Sequence, residues 1–129
     1  MIQFAYTILY VQNVASAMTF YEKAFGFQRK FITPDEDYGE LISGATTLSF
    51  AVHTLAKSNL KDGYIESNIA EKPFGIELGF TTENVEKTVE EALLAGGTLT
   101  EPVKTKPWGQ KVAYVRDTEG FLVEICSPM

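Results

Sequence analysis

The sequence predicts an α+β fold made of two tandem β-α-β-β-β modules within one domain of 129 residues. Two helix signals stand out, each preceded by an apolar strand and followed by three further strand signals. The two units also align at an offset of 71 residues, which places Asn13 on Asn84 and Gly26 on Gly97. Because these residues start and stop the two helices, the alignment indicates an internal repeat.

Each helix signal consists of an asparagine N-cap, an amphipathic segment of about three turns and a glycine after it. Asn13 precedes VASAMTFYEKAF and then Gly26, whereas Asn84 precedes VEKTVEEALLA and then Gly96 and Gly97. The strands in front of them are FAYTILYV at 4–11 and FGIELGF at 74–80.

Six more strands complete the two modules, at 27–33, 38–43, 46–52, 98–103, 110–115 and 121–126. We expect module 1 to span about 1–55 and module 2 about 73–129 of the single domain 1–129. The polar segment between them, about 56–72, lacks periodicity and is long enough to carry a short helix.

The composition excludes several classes of partner. The net charge of −6 argues against nucleic acid, because phosphate binding needs clustered Lys and Arg. No apolar run reaches the roughly 18 residues of a membrane span, so we expect no membrane partner. The single cysteine, Cys126, excludes an internal disulfide and suits the cytoplasm, where we expect the protein. The single histidine, His53, excludes a site built from two histidines of one chain.

Two segments carry a resemblance to a known family: YVQNVASAMTFYEKAFGF at 10–27 and PWGQKVAYVRDTEGFLVEI at 107–125. They resemble the vicinal oxygen chelate superfamily, which contains glyoxalase I, extradiol dioxygenases and bleomycin resistance proteins. The segments GFQRKF, DYGEL and TLSFAV are most similar to the metal-free, bleomycin-resistance-like branch. The resemblance implies a cup-shaped, eight-stranded mixed sheet with the helices on its outer face.

In metal-dependent members of that superfamily, four ligand positions lie on the first and fourth strands of each module. The resemblance places them here on Tyr6, Ser49, Glu77 and Glu124. Zinc, iron and nickel sites use imidazole and carboxylate ligands, so this quartet predicts no metal and no other cofactor. If a metal is present, Glu77 and Glu124 could hold Mg²⁺ or Mn²⁺ weakly.

Two aromatic residues match the positions that stack flat drug rings in the bleomycin-resistance branch. The resemblance places these positions on Tyr38 and Trp108. Trp108 could instead be a packed turn residue beside Pro107.

A carboxylate on the inner face of such a sheet is costly unless it is paired. Glu77 and Glu124 could therefore bind a cationic ligand, or they could pair with one of three basic residues: Arg116, Lys111 or Lys104. His53 lies four residues after Ser49 and so shares its strand face, although an exposed histidine at a strand end is the simpler expectation.

The first hypothesis is therefore a metal-independent protein that binds a small, planar, cationic organic molecule through Tyr6, Tyr38, Ser49, Glu77, Trp108 and Glu124. The second is a glyoxalase-like lyase or isomerase, or a dioxygenase-related enzyme, that uses Glu77 and Glu124 with a weakly held divalent metal. No residue is assigned as a nucleophile, and the catalytic residues stay unknown. The apolar first strand favours a homodimer, because an exposed apolar edge invites pairing.

Overall fold

The computed structural model describes residues 1–129, which form eight strands and three helices. The first half contains β1 (Thr7–Val11), α1 (Val14–Phe25), β2 (Gln28–Ile32), β3 (Tyr38–Ser43), β4 (Thr46–Val52) and α2 (His53–Asn59). The second half contains β5 (Glu77–Thr81), α3 (Val85–Leu94), β6 (Thr98–Thr105), β7 (Lys111–Arg116) and β8 (Leu122–Cys126). The α+β class and the two β-α-β-β-β modules are confirmed, and α2 is the short helix that the polar segment allowed.

The residues divide into two compact units. Unit 1 comprises Met1–Glu22 and Gly26–Glu66, and unit 2 comprises Lys23–Phe25 and Ser67–Met129. The eight strands are hydrogen-bonded as two four-stranded sheets, in the order β1-β4-β3-β2 in unit 1 and β5-β8-β7-β6 in unit 2. In each sheet the first pair of strands is parallel and the other pairs are antiparallel, so both sheets are mixed.

The helix caps follow the sequence signals closely. The Asn13 side chain accepts a hydrogen bond from the Ser16 amide at 2.9 Å, and Asn84 accepts one from the Lys87 amide at 3.0 Å. Gly26 ends α1 with φ of 72°, a left-handed conformation that glycine adopts without steric cost. The end of α3 differs from the prediction, because Ala95 is the C-cap and Gly96, with φ of 111°, follows it.

The two module-opening strands are shorter than predicted. β1 begins at Thr7 and β5 at Glu77, whereas the apolar runs begin at residues 4 and 74. Glu77 pairs with Leu122, the first residue of β8, so residues before Glu77 have no strand partner. Residues 1–6 likewise extend beyond β1, and Phe4 in this segment is 90% exposed.

One face of each sheet packs against a helix. In unit 1 the ring of Tyr21 from α1 lies 5.5 Å from the ring of Phe50 on β4. In unit 2, α3 buries Val85, Val89 and Ala92 and contacts β6, β7 and β8. Because side chains alternate along a strand, the residues next to these core positions lie on the opposite face. None of the three helices is long and apolar enough to cross a membrane.

Candidate functional site

The opposite face of each sheet, here called its functional face, carries the polar residues predicted to bind a ligand. The registers of the two sheets are equivalent, with Glu40, Ser49 and Ile8 in one row of unit 1 and Tyr114, Glu124 and Gly79 in one row of unit 2. Glu77 precedes Gly79 by two residues on β5, so it lies on the functional face of unit 2. Tyr6 stands one residue before β1 and is close enough to Tyr38 to affect its pKa. The structure therefore places Ser49, Glu77 and Glu124 on the functional faces, with Tyr6 just in front of β1.

A carboxyl cluster occupies the functional face of unit 2. Tyr114 Oη donates a hydrogen bond to Glu124 Oε2 at 3.0 Å. The carboxyl group of Glu77 is close enough to both residues for each of them to shift its pKa. Gly79 stands opposite Glu124, and a Cβ atom at this position would lie 3.7 Å from Glu124 Oε1, so the glycine leaves space beside the carboxylate.

Burial and mutual repulsion set the protonation of this cluster. Burial raises the pKa of Glu77, and the charge of Glu124 raises it further. Burial and the hydrogen bond to Glu124 raise the pKa of Tyr114 to about 12, so its hydroxyl keeps its proton at neutral pH. Burial also raises the pKa of the Cys126 thiol, and the hydrogen bond to Glu124 raises it further.

No basic side chain neutralises the two glutamates, since neither takes part in a salt bridge. The three basic residues considered from the sequence have other partners: Lys111 pairs with Glu86 at 2.8 Å, Lys104 with Glu101 at 3.6 Å, and Arg116 donates to the backbone carbonyls of Asn68, Ile69, Glu71 and Gly120. The expectation that one of them pairs with Glu77 or Glu124 is therefore wrong.

The functional face of unit 1 holds a second polar group. Tyr38 Oη donates to Glu40 Oε2 at 2.6 Å, and Lys30 Nζ lies 3.5 Å from Glu40 Oε1. Burial, followed by the hydrogen bond to Glu40, raises the pKa of Tyr38 to about 12, with Ser49 acting in the opposite direction. Ser49 is completely buried, and its Oγ has no hydrogen-bond partner of acceptable geometry. Tyr6 is close enough to raise the pKa of Tyr38 slightly.

Glu40 and Tyr114 are the functional-face residues that sequence reasoning missed. They sit at equivalent positions on β3 and β7, directly opposite Ser49 and Glu124. A signal for Tyr114 was present, since it alternates with the apolar residues Ala113 and Val115 along its strand. Glu40 gave a weaker signal, because its neighbours Gly39 and Leu41 do not frame a regular alternation.

Trp108 is not a packed turn residue, because 63% of its surface is exposed. Its Nε1 donates to Gln110 Oε1 at 2.9 Å, and the Gln110 amide nitrogen donates to the Ser127 carbonyl at the same distance. The indole lines an open groove of about 560 Å³ with Gly109, Gln110, Pro128 and Met129. Glu77 and Glu124 are not among the residues that line this groove.

His53 departs from the sequence expectation of an exposed histidine. It is the first residue of α2 and is only 7% exposed. Its Nδ1 lies 2.6 Å from Tyr64 Oη, and its Nε2 lies 3.5 Å from Glu66 Oε1. These contacts, which link α2 to the segment after it, were not predicted.

The donor set does not fit the zinc, iron or nickel sites of metal-dependent relatives. No three His, Cys, Asp or Glu side chains are grouped so that they could hold a metal ion. Unit 2 offers two carboxylates and a protonated phenol, and the sole imidazole in the chain lies in unit 1 against Tyr64. Such borderline ions favour imidazole nitrogen and thiolate sulfur ligands. The cluster has no imidazole, and burial and Glu124 raise the pKa of the neighbouring Cys126 thiol, which disfavours the thiolate.

Comparisons with known proteins support the same fold. A family model described as the Glyoxalase/Bleomycin resistance protein/Dioxygenase superfamily matches residues 3–125. The chain is similar to a glyoxalase-related enzyme from Fulvimarina pelagi, with a TM-score of 0.81 and 20% identity over 99% of this chain and 89% of that chain. A glyoxalase/bleomycin resistance protein/dioxygenase family enzyme from Burkholderia phytofirmans PsJN has a TM-score of 0.82 and 22% identity, covering 97% and 98% of the two chains. At these identities the likeness shows the fold alone.

A relative with a named activity is also similar in sequence. A lactoylglutathione lyase of Arabidopsis thaliana is 28% identical over 133 residues, covering 95% of this chain and 43% of that protein. The chain therefore spans less than half the length of this relative.

Proposed function

Because the chain belongs to the glyoxalase/bleomycin resistance protein/dioxygenase superfamily, we propose that it binds a small, planar, cationic organic molecule without a metal ion, in the manner of the bleomycin-resistance-like branch. The observation that carries this proposal is the unneutralised carboxyl pair of Glu77 and Glu124 on the functional face of unit 2. The proposal places the protein in the cytoplasm, where the buried free thiol of Cys126 would stay reduced.

The carboxyl pair is suited to a cation because no basic residue of the protein neutralises it. Burial and then the charge of Glu124 raise the pKa of Glu77, so this carboxyl group binds a proton more readily than an ordinary glutamate. A ligand with a positive charge would compete with the proton and satisfy both carboxylates at once. Tyr114 supports this arrangement, since its hydrogen bond fixes the orientation of Glu124.

Aromatic surface supplies the expected preference for a planar ligand. Trp108 presents an exposed indole whose ring nitrogen is fixed by Gln110, so little side-chain freedom is lost on stacking. Tyr38 is half-buried and fixed by Glu40 on the functional face of unit 1. A cation over an aromatic face contributes about 0.5–2 kcal/mol per contact. The stacking roles of Tyr38 and Trp108 stay predictions.

The proposal is tested by comparing two tricyclic probes of similar shape, the cation proflavine and neutral acridone. We expect proflavine to bind at least about tenfold more tightly, which corresponds to about 1.4 kcal/mol. Glu124→Gln should remove most of this preference, whereas Glu90→Gln, which removes an exposed charge on α3, should retain it. Equal affinities of the wild-type protein for the two probes would refute cation recognition.

A second candidate function is a lyase or isomerase step, which the similarity to a lactoylglutathione lyase favours. In this account Glu124 acts as the general base, and the Tyr114 hydroxyl, which donates to Glu124 in the structure, turns to donate to the developing oxyanion once Glu124 has taken the substrate proton. The test is turnover of lactoylglutathione by wild-type protein. Activity that Glu124→Gln abolishes would support this candidate, and its absence at high protein concentration would reject this substrate.

A further inference from the structure

The segment that follows α2 has few backbone hydrogen bonds and few buried side chains. Residues 60–66, here called the strap, contain one internal backbone hydrogen bond, from the Gly63 amide to the Leu60 carbonyl at 2.9 Å. Tyr64 is the only strap residue that is not exposed, and its neighbour Ile65 is 80% exposed. A segment with so few backbone bonds and buried contacts opens at a small free-energy cost.

Side chains hold the strap in place. Tyr64 Oη lies 2.6 Å from His53 Nδ1, and Glu66 lies 2.5 Å from Lys57 Nζ and 3.5 Å from His53 Nε2. Because the Glu66 carboxylate faces Nε2 at 3.5 Å, its charge favours the tautomer with the proton on Nε2, and Tyr64 then donates to Nδ1. The contact with Lys57 lowers the pKa of Glu66, so this carboxylate is ionised at neutral pH.

The buried side of the strap covers part of the functional face of unit 1. The ring of Tyr64 packs on the ring of Tyr10, with 4.8 Å between their centroids. Tyr10 pairs with Ala51 and Ala51 with Tyr38, so these three residues form one row beside the row of Ser49. Moving Tyr64 away would therefore uncover Tyr10 and His53, of which His53 is almost fully buried.

We infer that the strap is a lid over the functional face of unit 1, held closed by Tyr64 on His53 and by Glu66 on Lys57. Gly63, with φ of 75°, gives the chain a turn in front of Tyr64 where the lid can bend. That a ligand binds the surface beneath the lid rests on the proposed function, whereas the lid itself does not. Its test uses no ligand, so its failure is distinct from a failure of the probe titration.

The experiment measures strap opening at two places in the full-length protein. Amide hydrogen exchange reports on Gly63, the strap residue whose amide is hydrogen-bonded, and the rate of carbethoxylation by diethyl pyrocarbonate reports on His53, the only histidine. Tyr64→Phe keeps the ring and removes the hydroxyl, so we expect both rates to rise about three- to tenfold, the range for losing one net hydrogen bond. Glu66→Gln leaves the Tyr64 hydroxyl in place and should raise both rates too. The matched control is Lys61→Gln, an exposed strap residue, which should leave both unchanged.

Three results would overturn the lid. The first is unchanged strap exchange in both Tyr64→Phe and Glu66→Gln. The second is faster strap exchange with an unchanged rate at His53, because the strap would then not cover that residue. The third is an equal rise in exchange throughout β4, which would show that the contacts hold the whole unit together rather than a lid.

Discussion

Replacing Glu77 with glutamine should stabilise the protein at neutral pH. The carboxyl groups of Glu77 and Glu124 repel each other, and no basic residue offsets this repulsion. Two charges about 4 Å apart repel by about 1 kcal/mol at the dielectric constant of water and by about 4 kcal/mol near a protein surface. Glu77 is largely exposed, so solvent screening favours the lower value, and we expect a gain of about 1 kcal/mol at pH 7.

The pH dependence gives the prediction its sign. The pKa of Glu77 is raised above the ordinary value of 4.5, so between that value and the raised pKa the folded state binds more protons than the unfolded chain. Wild-type stability therefore falls as the pH rises from 4.5 through the raised pKa, and Glu77→Gln should not show this loss. Urea unfolding of both proteins from pH 4 to pH 8 measures the difference.

Glu86→Gln is a control whose effect on stability should have the opposite sign. The ion pair with Lys111 lowers the pKa of Glu86, so Glu86→Gln should lose stability at neutral pH and should approach the wild type as the pH falls. A Glu77→Gln protein that is less stable than the wild type at pH 7, or a difference that does not vary with pH, would refute the repulsion argument.

Four further outcomes are expected. Gly120→Ala should lower the melting temperature far more than Gly109→Ala. Both glycines have positive φ, but only at Gly120 would the new Cβ overlap backbone atoms of Asn68 and Ile69, at 2.9 Å. Equal losses of stability would contradict this packing. Sedimentation should show a homodimer, since apolar side chains of residues 1–8 are exposed and a stable interface buries about 800 Å² per partner; a species of 14.3 kDa at micromolar concentration would contradict it. Proflavine should quench the fluorescence of the sole tryptophan, Trp108. Trp108→Ala or Tyr38→Ala should weaken proflavine binding by about 1–3 kcal/mol. Unchanged affinity in either variant would show that the ring of that residue does not contact the ligand. Elemental analysis should find no stoichiometric zinc, nickel, iron or cobalt, and about one such ion per chain would contradict the donor-set argument.

The fold could be predicted because its signals are local. Asn13, Gly26 and Asn84 act through hydrogen bonds and dihedral angles within a few residues, and each is a cap or a stop in the structure. The starts of β1 and β5 could not be placed, because a strand begins where its partner strand begins. The apolar residues before Glu77 resemble strand residues in sequence, yet β8 offers them nothing to pair with.

The site was only partly predictable for a related reason. The family resemblance predicts Glu77 and Glu124 on a functional face without any structure, and the offset of 71 residues from Tyr6 supports Glu77. Tyr114 and Glu40 escaped because their roles depend on cross-strand register, which sequence spacing does not fix. The contact between His53 and Tyr64 joins residues across an irregular segment, and no periodic signal marks such a contact.

The central claim is that a cationic ligand competes with protons for the carboxyl pair of Glu77 and Glu124. Calorimetric titration with proflavine near pH 5, in two buffers that differ in ionisation enthalpy, tests it directly. The account predicts that binding releases protons, and that acridone with the wild-type protein and proflavine with Glu77→Gln release none. Tight proflavine binding without proton release, or the same release from Glu77→Gln, would contradict it.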